Sequence, residues 1–242
     1  MNAIETRGLT KRYKDKTAVD NVHLAVGEHE FFALLGVNGA GKTTMIKMLC
    51  CLSTPTNGEA SVLGHDIRRE SDKVKALVGI SPQETAVGGN LTVRENLEML
   101  SGAYGMDRAQ SKARAQEMID ALHLQDVADK RAKVLSGGWK RRLSIAMALV
   151  GDPRVLFLDE PTLGLDVLAR RELWALIRSL RGQTAVILTT HYLEEAEALS
   201  DRIGIMKDGQ LMAIGTAEEL KAEAGAATFE DAFIHYVGGA LA

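Results

Sequence analysis

The stretch Gly36-Val37-Asn38-Gly39-Ala40-Gly41-Lys42-Thr43-Thr44 leaves this chain few folds to choose from. It fits G-x-x-x-x-G-K-[ST], a loop that wraps polyphosphate. Its context agrees. Phe31-Phe32-Ala33-Leu34-Leu35 before it is an apolar run of strand length, and Thr43 to Leu52 after it reads as a helix with Ile46 and Leu49 on one face. Glycines let main-chain N–H groups turn inward, where the helix N-terminus adds positive potential. Lys42 is placed to meet the β- and γ-phosphates and the Thr43 hydroxyl to meet Mg²⁺. The loop reads as a binding site for a nucleoside triphosphate.

The 242 residues allow one large α/β domain or two small lobes. With 25% charged residues and a net charge of −3, no broad basic surface points to nucleic acid. No apolar run reaches the roughly 18–20 residues of a spanning helix, and Met1-Asn2-Ala3-Ile4-Glu5 lacks a basic-then-apolar leader. The chain is expected in the cytoplasm. Cys50 and Cys51 are adjacent, which suits neither a disulfide framework nor zinc, so both are expected as small buried residues of the loop's helix.

Residues 2–35 read as β structure, with alternation in Ile4–Leu9 and Val22–Val26. Tyr13 ends the first run, either as a base-stacking aromatic or as an edge-strand residue. Ala60–Leu63 and Ala76–Ser81 read as strands, the second leading into Pro82-Gln83-Glu84; strands of this kind present ligand contacts at their carboxyl ends. Residues 91–150 turn helical: a capping box at Thr92-Val93-Arg94-Glu95, a charged helix from Arg108 to Leu124, and a third helix, Trp139 to Val150, after Leu135-Ser136-Gly137-Gly138. From Val155 the β/α alternation resumes, with a hairpin around Asp208-Gly209 and a capping box at Thr216–Glu219. The expected organisation is one domain over 1–242. Residues 1–90 and 151–215 form an α/β core with an N-terminal β part, 91–150 an inserted helical part, and 216–242 a helical tail.

Three further features carry chemistry. Val155-Leu156-Phe157-Leu158 followed by Asp159-Glu160 resembles a Walker B element, with Asp159 on Mg²⁺ and Glu160 as general base for the attacking water. Alone, the same pair reads equally as a helix cap or surface turn. His191 after a strand reads either as a γ-phosphate contact or as a satisfied strand-end histidine. Ser136-Gly137-Gly138 at a helix start offers a hydroxyl and accessible N–H groups to an anion, though Ser-Gly-Gly is also an ordinary loop sequence.

In this order and spacing, Gly36–Thr44, Gln83, Leu135–Gly138, Leu156–Asp166 and His191 resemble the ATP-binding subunit of an ABC transporter, from about Ile4 to Val237. The resemblance implies a P-loop NTPase core with a mixed sheet, an antiparallel N-terminal β subdomain and an inserted helical subdomain. It implies that Tyr13 stacks on adenine and that Gln83 reaches Mg²⁺ and the attacking water. Ser136, Gly137 and Gly138 would contact ATP held by a second subunit, Asp166 would face that subunit, and His191 would act as switch histidine. Two ATPs would lie between two head-to-tail subunits, a homodimer or a heterodimer. The partner in the membrane would be a separate permease chain, with this chain peripheral at the cytoplasmic face. Trp139 stands where the family usually has Gln, and Leu163 where a small residue is commoner; the indole puts the cross-subunit geometry in question. Thr189–Glu197, Asp201–Ile203 and Phe229–Phe233 resemble exporter ATPases serving drug, antibiotic, lipid or polysaccharide permeases. The tail is shorter than the regulatory addition of many sugar-importer ATPases. The competing reading is an ABC-type ATPase of ribosomes or DNA, which the single cassette without heptads or basic extension disfavours.

Overall fold

The computed structural model describes residues 2–238, which divide into two compact units. One comprises the residues up to Lys75 and those from Arg181 onward; the other is Ala76–Leu180.

In the first unit, β1 (Asn2–Tyr13) and β2 (Lys16–Gly27) form a long antiparallel hairpin. Val22, Leu24 and Val26 alternate inward, opposite Leu9, Thr6 and Ile4. That is the period of two that buries one face of a sheet. β3 (Phe31–Leu35) is buried along its whole length, as a strand covered on both faces must be. It leads through the glycine-rich loop into α1 (Lys42–Leu49). β4 (Asn57–Val62) pairs with the other side of β1, and β5 (His65–Asp66) extends that sheet. α2 (Ser71–Leu77) follows.

The helix expected over Thr43–Leu52 ends earlier. Cys50 is its C-cap, and Cys51 sits beyond it at φ 58°, a left-handed conformation incompatible with helix continuation. Cys50 is buried as expected, whereas Cys51 is only half-buried. Likewise Ala76 and Leu77 belong to α2 and not to the strand expected to begin there.

In the second unit, β6 (Val78–Ser81) pairs in parallel with β7 (Val155–Asp159). Between them come α3 (Val93–Ala103), α4 (Arg108–Ala121) and α5 (Gly137–Leu149); α6 (Val167–Arg178) follows β7. The capping box at Thr92 and Glu95 is formed. Asp107 and Gln110 form a second one, not read from the sequence, at the start of α4. α4 stops three residues short of the expected Leu124, and His123 turns left-handed at φ 53°. Arg114 donates to the carbonyls of Leu149 and Val150 at 2.7 and 2.9 Å, satisfying acceptors that the end of α5 leaves over.

The chain then completes the first unit. β8 (Ala185–Thr190), α7 (Leu193–Leu199), β9 (Arg202–Lys207) and β10 (Gln210–Gly215) precede α8 (Ala217–Ala224) and α9 (Phe229–Gly238). β3 lies between β8 and β9, parallel to both, while β10 runs antiparallel to β9, so the sheet is mixed. Residues 239–242 of the expected tail lie outside the described residues, as does Met1. Among the described residues no helix is long and apolar enough to cross a membrane.

Candidate functional site

The loop after β3 is held by three separate segments of its own unit. Gly36 N donates to Thr190 O at the end of β8 at 3.3 Å. Gly209 N, at the tip of the β9–β10 hairpin, donates to Ala40 O at 3.0 Å, and Asp20 N on β2 donates to Gly209 O at 2.8 Å. Asp208 and Gly209 adopt φ 48° and 82°, the paired left-handed turn that favours Asp-Gly. Packing is close enough to dictate residue type. A Cβ at Gly36 would lie 2.4 Å from Met206 O, and one at Gly41 2.3 Å from Ala18 O.

Gly41 also takes φ 107°, which L-residues rarely adopt. Gly41→Ala should therefore lower stability by at least the ~1–3 kcal/mol of such strain, and the backbone overlap adds to it. At Gly39, also at positive φ, nothing lies within 4 Å of the added Cβ, so Gly39→Ala should cost less. Chemical denaturation of the two variants checks the order.

Val37, Asn38 and Gly39 form the exposed rim of the loop, while Ala40 and Lys42 are buried. Lys42 Nζ reaches back to donate to Gly36 O at 2.6 Å and Val37 O at 3.3 Å. The ammonium is thus aimed into the concave side of the loop, with Thr43 and Thr44 following in the first turn of α1. His191 directly follows β8, whose last carbonyl takes the Gly36 N–H, so the fold brings histidine and loop together. Its ring centroid lies 4.1 Å from that of Tyr192. Tyr13, at the end of β1, is 47% exposed, with Lys11 Nζ over its ring at 4.9 Å from the centroid.

In the second unit, β7 delivers Asp159 and Glu160, whose exposures are only 3% and 5%. Glu160 has φ 50°, a strained conformation for a non-glycine residue and one that often marks a functional position. Gln83 is exposed just beyond β6. Ser136 is the N-cap residue of α5, yet its side chain makes no cap bond; Gly137 is exposed and Gly138 half-buried. Asp166 caps α6, its carboxylate accepting from Leu168 N and Ala169 N at 3.0 and 2.9 Å. The Arg142 guanidinium lies 4.9 Å from the ring centroid of the Trp139 indole and pairs with Glu172 of α6 at 2.5 Å.

Two buried polar residues went unread in the sequence. Arg141 donates to Pro82 O and Gln83 O, both at 2.7 Å. Asn96, fully buried, accepts from Gly88 N at 2.7 Å and donates to Gly88 O and Thr92 O. Each pins one end of the loop between Gln83 and α3.

A strand-loop-helix phosphate cradle, a strand ending in two buried carboxylates and a Leu-Ser-Gly-Gly helix start define an ATP-binding cassette. The chain belongs to the ABC transporter family, whose sequence profile matches residues 19–163. Among its relatives is the daunorubicin resistance ATP-binding protein DrrA3 of Streptomyces coeruleorubidus, 44% identical over 224 residues that make up 92% of this chain and 71% of the relative. YbhF of Escherichia coli K12, a probable multidrug ABC transporter ATP-binding protein, is 43% identical over 97% of this chain, which spans 41% of YbhF. Among solved structures, the dimeric post-hydrolysis cassette MJ0796 with ADP and Pi superposes with a TM-score of 0.80 at 28% identity, covering 88% of this chain and 98% of that one. A structure described as the ATP-binding subunit of an ABC transporter reaches 0.85 at 27% identity, covering 97% and 99%. The expected fold and activity class hold: this is an ATP-binding and ATP-hydrolysing subunit of an ABC transporter.

Proposed function

We propose that this chain powers the export of drug-, antibiotic- or lipid-like compounds through a separate membrane permease, working at the cytoplasmic face as one half of a head-to-tail dimer. The observation that carries this reading is its 44% identity, over 92% of the chain, to a daunorubicin resistance ATP-binding protein. The dimeric MJ0796 cassettes support the paired arrangement.

In this reading Gly36, Asn38, Gly39, Ala40, Gly41, Lys42, Thr43 and Thr44 wrap the phosphates of ATP, and Tyr13 stacks on its base. Lys42 transfers its hydrogen bonds from the loop carbonyls to the β- and γ-phosphates. Among the described residues no group of three or more His, Cys, Asp and Glu could hold a metal ion. That fits Mg²⁺ arriving with the nucleotide, since this ion commonly binds through one or two carboxylates plus substrate phosphates. Thr43, Asp159 and Gln83 are the residues that would hold it, and it would neutralise charge on the phosphates. Glu160 takes a proton from the attacking water, Gln83 orients that water, and His191 senses the γ-phosphate. Ser136, Gly137, Gly138 and Asp166 serve the ATP of the second subunit. The helical residues 91–150 form the subdomain that carries Ser136-Gly137-Gly138, inserted in the sequence between core segments 1–90 and 151–215.

Tagged chain purified from detergent-solubilised membranes tests this. The expected companion is a polytopic membrane protein that changes the ATPase rate. Ribosomal or DNA-bound companions without any membrane protein would overturn the export reading in favour of a ribosome- or DNA-directed ATPase.

A further inference from the structure

We propose that Arg141 is a positioning residue that latches the main chain of Gln83 to the helix beginning at Ser136-Gly137-Gly138. Arg141 lies four residues into α5, about 6 Å along its axis from Gly137, and is only 5% exposed. Its guanidinium donates through Nη1 to Pro82 O and through Nη2 to Gln83 O, each at 2.7 Å. These two consecutive carbonyls lie just past the end of β6, where the parallel ladder with β7 stops at Ser81 and Leu158. A planar fork with parallel donors gives each of two adjacent carbonyls its own N–H at equal length; a lysine ammonium serves two from one point at unequal lengths, as Lys42 does at 2.6 and 3.3 Å. One turn further along α5, Ser144 Oγ meets Ser81 Oγ at 2.8 Å, with both residues buried. Arg141 and Ser144 thus zip one face of α5 to the end of β6 and to the start of the loop carrying Gln83.

The side chain of Gln83 is exposed, so its reach is set by where its backbone is held. Its backbone is held by Arg141. A displacement at the N-terminal end of α5 therefore moves the Gln83 main chain directly. A charged, fully forked donor is more than a strand end needs to satisfy two carbonyls. It makes the loop position a function of the helix position. The inference rests on the role of Gln83 proposed above, through which Arg141 acts.

The test is steady-state ATP hydrolysis by the full chain, titrated separately with ATP and with Mg²⁺, in Gln83→Ala, Arg141→Met, Arg141→Lys and the Gln83→Ala/Arg141→Met double variant. Unfolding midpoints are measured alongside. Arg141→Met should lower kcat roughly tenfold, the usual scale for groups that orient a reacting site from one shell out. Half-saturation by ATP should stay at the parent value. Arg141→Lys, which keeps the charge and can reach one carbonyl, should fall between parent and Met and carries the test if the Met variant does not fold. The double variant should be no slower than Gln83→Ala, because residues acting as one unit are not additive. A merely structural arginine would lower the midpoint without that non-additivity. If Gln83→Ala hydrolyses ATP at the parent rate, the role of Gln83 falls and the latch with it. If Gln83→Ala is slow while Arg141→Lys runs at the parent rate, or if the two single effects multiply in the double variant, the latch alone is overturned.

Discussion

Glu160→Gln is expected to cut ATP turnover by roughly 10²–10⁴-fold, the range a positioned general base contributes, while ATP still binds. The substitution keeps side-chain shape and exchanges a carboxylate for a neutral amide that cannot take a proton. Glu160 is 5% exposed at the end of β7, and the amide fills the same volume as the carboxylate, so folding should not suffer. Its φ of 50° belongs to the main chain, which a replacement of the same shape should leave in place. Two measurements read the result: phosphate release, and elution volume with and without ATP. With turnover blocked, two nucleotides should hold two subunits together, giving an ATP-dependent dimer that should be shorter-lived in the parent. Hydrolysis at the parent rate would remove Glu160 from the role of base and shift attention to Asp159 or His191.

The second large effect is at Lys42. Its ammonium donates to Gly36 O and Val37 O from a nearly closed environment. Charged hydrogen bonds are each worth about 1.5–3 kcal/mol. Loss of two such contacts to phosphate should weaken ATP binding by about 3 kcal/mol or more, roughly 100-fold. Lys42→Ala should also be less stable without nucleotide, because Gly36 O loses the Lys42 donor and Val37 O keeps only Ala40 N. A titration with a fluorescent ATP analogue and a denaturation curve separate the two effects. Unchanged affinity in a folded variant would place the phosphates elsewhere.

The loop was legible because its chemistry is local: nine consecutive residues carry the turn, the donors and the helix start. The capping boxes at Thr92 and Thr216 were legible for the same reason, each lying within four residues. Asp107 and Gln110 offered the same signal and went unread. Arg141 and Asn96 had no such signal. Arg141 stood in a basic run, Lys140-Arg141-Arg142, that looks like a solvated surface, yet it is buried because it meets carbonyls 58 and 59 residues away. The hairpin at Asp208-Gly209 was readable as a hairpin, but nothing local says that its tip sits on a loop more than 160 residues earlier. The backbone angle of Glu160 is likewise invisible in a string of letters. Roles carried by neighbours along the chain could be read; those carried by long-range contacts could not.

The hairpin tip against Ala40 has a consequence for how the protein is made. A ribosome delivers Lys42 early and Gly209 late, with about 160 residues between them, roughly 10–30 s at ~5–20 residues per second. Through that interval the glycine-rich segment lacks the Gly209 hydrogen bond, the Met206 carbonyl packed against Gly36 and the Thr190 carbonyl that takes the Gly36 N–H. A nascent chain has no finished seat for ATP until most of it has left the tunnel.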